Sequence, residues 1–171
     1  MKILAFAGSL RKNSYNLQAL ELAKSLAPEN IEIEIFPLND MPFMNEDLED
    51  NGFPEIVKQL RGKVEQADAV LISTPEYNNS YSSITKNAIE WLSRSPSVAR
   101  GKKLGIMGAS DGDFGAVRAL LLLRALASVV GFDLDDNHVV AIPNADVVFE
   151  HDQKERLIKH INSLLDSLSS D

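Results

Sequence analysis

The residues best equipped for chemistry lie together in one turn: Gly8-Ser9-Leu10-Arg11-Lys12-Asn13-Ser14-Tyr15-Asn16. An apolar run, Ile3 to Ala7, precedes them, and a helix-like run follows from Leu17. A turn from a buried strand into a helix points backbone N–H groups at one spot, and the helix N-terminus adds partial positive charge there. Around that spot stand two hydroxyls (Ser9, Ser14), one amide (Asn16) and two cations (Arg11, Lys12). Such donors suit a doubly charged phosphate. The turn therefore predicts a site for one terminal phosphomonoester. The alternative is a polar turn whose serine and asparagine only cap the helix, and the turn alone leaves both open.

Other chemistries are excluded by pattern. No G-x-G-x-x-G dinucleotide fingerprint and no G-x-x-x-x-G-K-[ST] loop occurs. With no cysteine, a thiol phosphatase built on a similar turn is ruled out. The three histidines, His138, His151 and His160, are scattered and read as structural or surface residues, and no metal cluster is visible. No side chain is assigned as nucleophile or general acid.

The surrounding elements alternate. Strand-like runs fall at residues 3–8, 31–36, 69–72, 104–107 and 139–142, with Ile-Glu-Ile-Glu-Ile-Phe at 31–36 reading as an edge strand. Helical spacing joins Leu17, Leu20, Ala23 and Leu26, then Ile56, Leu60 and Val64, then Ile84, Ala88, Trp91 and Leu92. A fourth helix reaches about Val130, and Leu157, Ile161, Leu164, Leu165 and Leu168 mark a last amphipathic one. Pro28 ends the first helix. Residues 37–52 form a long polar stretch whose acids (Asp40, Glu46, Asp47, Glu49, Asp50) read as solvated surface. Five strand–helix repeats predict an α/β fold, a flavodoxin-like three-layer sandwich with a five-stranded parallel sheet of order 2-1-3-4-5. Ligands of such sheets bind beyond the carboxyl ends of the strands at the switch point. The loops there are 8–16, 74–82 and 108–115.

Composition sets the remaining bounds. The 171 residues, 44% hydrophobic, are expected to form one domain over 1–171. No run of about 18 apolar residues is present, so no membrane span is expected. The opening Met1-Lys2-Ile3-Leu4-Ala5-Phe6-Ala7 superficially resembles a signal peptide, but its apolar part is short and the phosphate turn follows at once. Zero cysteines fit a cytoplasmic setting. A net charge of −8 argues against nonspecific nucleic-acid or anionic-membrane binding.

The other two loops complete the pattern. Thr74-Pro75-Glu76-Tyr77-Asn78-Asn79-Ser80 offers backbone donors in a proline-stiffened turn and an aromatic face, and Gly108, Gly112 and Gly115 allow close backbone approach. Gly8-Ser9-Leu10-Arg11-Lys12-x-Ser14-Tyr15-Asn16, then Pro75-Glu76-Tyr77-Asn78, then Lys86-Asn87-Ala88-Ile89-Glu90-Trp91-Leu92-Ser93-Arg94 together resemble the NADPH-dependent FMN reductase family, which includes quinone, chromate and azo-dye reductases. The resemblance covers roughly residues 1–142. It implies noncovalent FMN, with Ser9, Arg11, Ser14, Tyr15 and Asn16 at the phosphate and ribityl end. Pro75, Glu76, Tyr77 and Asn78 would meet the pyrimidine side, largely through backbone. Ser110, Asp111, Gly112 and Gly115 would line the other polar edge. It implies NADPH or NADH as donor, a small-molecule acceptor (quinone, azo compound, chromate or free flavin), and two-electron ping-pong transfer. The rival is a flavodoxin-like electron carrier without NAD(P)H oxidation.

Two segments depart from the family pattern. Ser80-Tyr81-Ser82-Ser83-Ile84-Thr85 stands where Pro-Gly or Gly-Gly is common, which predicts a bulkier turn with an extra tyrosine near the flavin. The third loop, Ser110-Asp111-Gly112-Asp113-Phe114-Gly115, is more acidic than usual, and its carboxylates would disfavour an anionic flavin unless they point to solvent. The fourth helix has almost no polar face between Ala116 and Val130, so one side is expected on the sheet and the other on a second subunit, in a homodimer or homotetramer with FMN near the interface, the alternative being a helix covered by the chain's own loops.

Overall fold

Residues 1–151 and 153–170 are described in a computed structural model of the chain. Its sheet is built from β1 (Lys2–Ala7), β2 (Glu32–Ile35), β3 (Ala69–Thr74), β6 (Lys103–Ala109) and β7 (Val139–Ile142), in the order β2-β1-β3-β6-β7. Every pairing is parallel. This is the expected 2-1-3-4-5 order, with a small hairpin, β4 (Glu76–Tyr77) and β5 (Ser80–Tyr81), inserted after β3.

Successive strand residues point to opposite faces, so the central strands must be apolar throughout. Leu4, Phe6, Val70, Ile72, Leu104 and Ile106 face one core. It is closed by α3 (Glu55–Gln66), α4 (Ser83–Ser93) and α5 (Val117–Val130). Ile3, Ala5, Leu71, Met107 and Val140 face the other, under α1 (Tyr15–Leu26) and α7 (Glu155–Ser169). On the edge strand β2, Ile33 is buried while Glu32 and Glu34 face solvent, and Glu34 pairs with Lys63 at 2.6 Å. Helix α1 stops at Leu26 because Ala27, preceding Pro28, takes an extended conformation.

In the polar stretch 37–52 the acids Asp40, Glu46, Asp47 and Asp50 are exposed as expected, but the segment itself is tied to the core. Leu38 and Met41 are buried, and α2 (Glu46–Asp50) forms within it. The Pro42 carbonyl accepts from Trp91 Nε1 and Asn87 Nδ2 at 2.9 and 2.8 Å. Glu49 lies 2.6 Å from the Arg94 guanidinium and holds that group's pKa above its ordinary value. The stretch is thereby strapped to α4, and Trp91 is core, as its helical spacing predicts. Another element absent from the pattern reading is α6 (Ala145–Glu150), between β7 and α7.

Candidate functional site

The three loops beyond the carboxyl ends of β1, β3 and β6 converge on one depression of about 160 Å³. Ser9, Arg11, Ser14, Tyr15 and Asn16 line it from the first loop, Pro75, Glu76 and Tyr77 from the second, and Ser110 and Asp111 from the third, with Ala109 at its base. Asn78, Gly112 and Gly115 are not among its lining residues.

The first loop is anchored from beneath. Ser14 caps α1, its hydroxyl accepting from the Asn16 N–H at 3.2 Å. Asn16 is 3% exposed and its amide makes three hydrogen bonds within the protein. Oδ1 accepts from Ser73 Oγ (2.9 Å) and Ala109 N (3.0 Å), and Nδ2 donates to the Ala109 carbonyl (3.2 Å). It ties the start of α1 to the ends of β3 and β6. Above this anchor, the N–H groups of Ser9, Leu10, Lys12 and Asn13 find no acceptor among the described residues. Arg11 and Lys12 meet no carboxylate among those residues either. Arg11 lies 6.0 Å from the Tyr15 ring centre. Unsatisfied amides and unneutralised cations at the head of a 12-residue helix are what a phosphate would complete. On donor chemistry the residues fit the phosphate end of FMN.

Tyr15 turns its hydroxyl away from this anion site. It donates to Glu150 Oε1 at 2.6 Å and its ring stacks on Phe149 with centres 6.0 Å apart. That hydrogen bond, with burial and the carboxylate charges adding to it, pushes the Tyr15 pKa up to about 12.

In the second loop Glu76 works structurally. Helix α5 begins after Ala116, a left-handed residue whose side chain gives no cap. The Glu76 carboxylate supplies the cap from 42 residues away, accepting from Arg118 N at 2.9 Å, Ala119 N at 3.2 Å and Arg118 Nη1 at 3.0 Å. Burial pushes this carboxyl up, but the guanidinium and the two amides outweigh it and hold its pKa below the ordinary value. Asn78 and Asn79 take positive φ (50° and 63°) to close the β4–β5 hairpin. Tyr77 is 51% exposed at the rim. Tyr81 is partly buried and packs against the core.

In the third loop Gly115 is used against protein. At Gly115 φ is +56°, and a Cβ there would come within 2.5 Å of the Pro143 backbone nitrogen. Asp111 and Asp113 are exposed, with Asp111 at the margin of the depression.

Sequence reading missed the buried hydroxyls under Gly8: Ser82 Oγ donates to the Gly8 carbonyl at 2.5 Å, and Thr85 and Thr74 adjoin it. The available signal was the Ser80–Thr85 departure itself.

A doubly wound sheet of this order, with an anion turn after its first strand, is the architecture that holds FMN at its switch point. The family model of the NADPH-dependent FMN reductases matches residues 1–153, and the chain belongs to that family. Over 125 residues it is 45% identical to an NAD(P)H-dependent FMN reductase of Pseudomonas aeruginosa, covering 72% of this chain and 68% of that protein. Over 130 residues it is 41% identical to an NAD(P)H:quinone oxidoreductase of Solanum tuberosum, covering 74% and 66%. The chain thus spans about two thirds of the length of these curated relatives. Among solved structures it is similar to FerB, a flavoenzyme NAD(P)H:(acceptor) oxidoreductase from Paracoccus denitrificans. The TM-score is 0.84 at 30% identity, covering 98% of this chain and 96% of that one. These relationships make the chain an FMN-dependent NAD(P)H oxidoreductase and favour that reading over an electron carrier. Among the described residues no helix is long and apolar enough to cross a membrane.

Proposed function

We propose that this chain oxidises NADPH or NADH and reduces a small acceptor, a quinone foremost, with FMN held in the depression between the three loops. The observation that carries the reading is the turn above Asn16, where, among the described residues, four backbone N–H groups find no acceptor and two cations meet no carboxylate. When bound, FMN supplies the electron sink that takes hydride equivalents from the nicotinamide and hands two electrons to the acceptor. The protein's part is to hold and shield. Ser9, Arg11 and the turn amides bind the phosphate, while Ser14 and Asn16 place that turn. The main chain of Pro75–Tyr77 meets the pyrimidine edge, with Asn78 closing the hairpin behind it, and Ser110 and Asp111 border its far side. Gly112 and Gly115 shape the third loop rather than touch the ligand. Tyr15 borders the ribityl end.

The quinone assignment rests on the acceptors of the matched relatives. We place the reaction in the cytoplasm, where reduced pyridine nucleotide is supplied. A dimer is supported by the outer face of α5, where Val117, Leu121, Leu122 and Val129 are exposed, Leu121 to 63%. Phe114 continues this apolar surface toward the rim at 63% exposure.

The test is the visible spectrum of the purified chain, followed by NADPH and NADH oxidation with benzoquinone. A yellow protein that oxidises either nucleotide only when acceptor is present supports the proposal. A protein that fails to take up added FMN, or a yellow one inert toward both nucleotides, overturns it. Light scattering at micromolar concentration checks the dimer, and a monomer there would remove it.

A further inference from the structure

Beneath the phosphate turn lie three hydroxyls that the reading above does not use. Thr74 Oγ1 and Thr85 Oγ1 are 2.9 Å apart, Thr85 Oγ1 and Ser82 Oγ are 2.9 Å apart, and Ser82 Oγ donates to the Gly8 carbonyl at 2.5 Å. All three residues are buried, Thr74 and Thr85 completely. Each hydroxyl owns one proton, and that count orders the chain. Ser82 spends its proton on Gly8, so Thr85 must donate to Ser82. Thr85's proton is then committed, so the Thr74–Thr85 contact uses the Thr74 proton, which Thr74 shares between Thr85 Oγ1 at 2.9 Å and the Pro75 carbonyl at 3.2 Å. Ser82 Oγ also accepts the Thr85 N–H at 3.2 Å, which fills its acceptor capacity. Thr74 Oγ1 accepts from Ser82 N at 3.4 Å.

We infer that Thr74, Thr85 and Ser82 form a one-directional hydrogen-bond relay that positions the Ser9 amide for the phosphate of the flavin nucleotide. The step from relay to ligand follows from peptide geometry. The Gly8–Ser9 bond is trans, the Ser95–Pro96 bond being the cis peptide recorded among the described residues. In a planar trans peptide the C=O and the following N–H point in opposite directions. Fixing the Gly8 oxygen down onto Ser82 aims the Ser9 N–H up into the depression, where it has no acceptor among the described residues. Donors aligned head to tail polarise one another, so the Ser9 N–H becomes a better donor than an isolated amide. The relay also links the first loop to the second, because Thr74 precedes Pro75. The fit is close: a Cβ on Gly8 would overlap Thr85 Oγ1 and come within 2.9 Å of Ser82 Oγ and 3.1 Å of Thr74 Oγ1.

Ser82 and Thr85 are therefore positioning residues, and the inference rests on the phosphate lying in the first turn. Riboflavin, which lacks the phosphate, separates positioning from general structure. The full chain, stripped of flavin, is titrated with FMN and with riboflavin by flavin fluorescence. Thr85→Val, which keeps the shape and removes the hydroxyl, should weaken FMN roughly tenfold and leave riboflavin unchanged. Thr85→Ser should restore native FMN affinity. Thr74→Val, at the far end of the relay, should cost about threefold on FMN alone, and it carries the test should Thr85→Val fail to fold. Equal losses of both ligands, or no loss of FMN, would overturn the relay while leaving the phosphate site standing. A native chain that binds riboflavin as tightly as FMN would overturn both.

Discussion

The turn after β1 and the loop after β6 share one rim yet are held in opposite ways. Side chains pin the first from below: Asn16 reaches the ends of β3 and β6, and Ser82 holds Gly8. Main chain pins the third from the side. Ser110 N donates to the Ile142 carbonyl at 3.2 Å, Ala145 N to the Ser110 carbonyl at 3.0 Å and Asn144 N to the Gly112 carbonyl at 3.2 Å. Their upper faces differ accordingly. Where side chains carry the anchoring, backbone N–H groups stay available for a ligand, and Arg11 and Lys12 flank them. The third loop gives mainly carbonyls to the neighbouring segment, and its exposed charged side chains are the carboxylates Asp111 and Asp113. The rim therefore runs from a cationic, donor-rich end to an acidic end, a polarity suited to a ligand charged at one tip.

The sharpest way to break this contrast is to cut the anchors. Asn16→Ala orphans Ser73 Oγ and both backbone groups of Ala109 in a buried place, and should cost about 3 kcal/mol of stability along with most FMN affinity. Ser110→Ala removes one local bond, to Gly112 N at 3.1 Å, and should cost under about 1 kcal/mol. Urea denaturation reads both, and similar losses would erase the distinction.

Glycine replacement sharpens it at the next level. Gly8→Ala forces a methyl into Thr85 and should cost about 1–3 kcal/mol. Gly112→Ala meets only Ser110 Oγ at 3.6 Å and should stay within about 0.5 kcal/mol of the native chain in the same denaturation.

Charge gives a smaller effect of opposite sign at the two ends. Arg11→Gln should weaken FMN roughly tenfold, less so at high salt, because a charged donor is lost. Asp111→Asn should change FMN affinity less than about threefold and in the direction of tighter binding. Flavin titration at two salt concentrations measures both, and equal responses would mean that the rim carries no such polarity.

The smallest effect lies at Tyr15. Its folded-state pKa, about 12, stands above the ordinary value of 10.0 because the protonated hydroxyl donates to Glu150. The contribution of that bond is intact below pH 10 and is lost as pH rises toward 12. Glu150→Gln should return one tyrosine titration toward 10, read by absorbance at 295 nm, with neutral-pH stability hardly changed. An unchanged titration would mean that Glu150 does not govern Tyr15.

Much was legible in the chain itself. Periodicity of 2 and 3.6 located five parallel strands and the principal helices, because burial on one or two faces writes itself into consecutive residues. The Ser9–Asn16 run announced a donor-rich turn, because its polarity is local. The hairpin, α2 and α6 escaped notice because they are too short to show a period, and the strap at 37–52 because its anchors, Asn87, Trp91 and Arg94, lie on another helix.

Which of those polar residues face a ligand and which face the protein was decided only by the fold. Asn16 meets Ser73 and Ala109 across 57 and 93 residues of chain, Ser82 meets Gly8 across 74, and Glu76 caps α5 across 42. A side chain's type states what it can bond to. Its partner is set by which segment the sheet brings beside it, and parallel crossovers bring together segments that are remote in sequence.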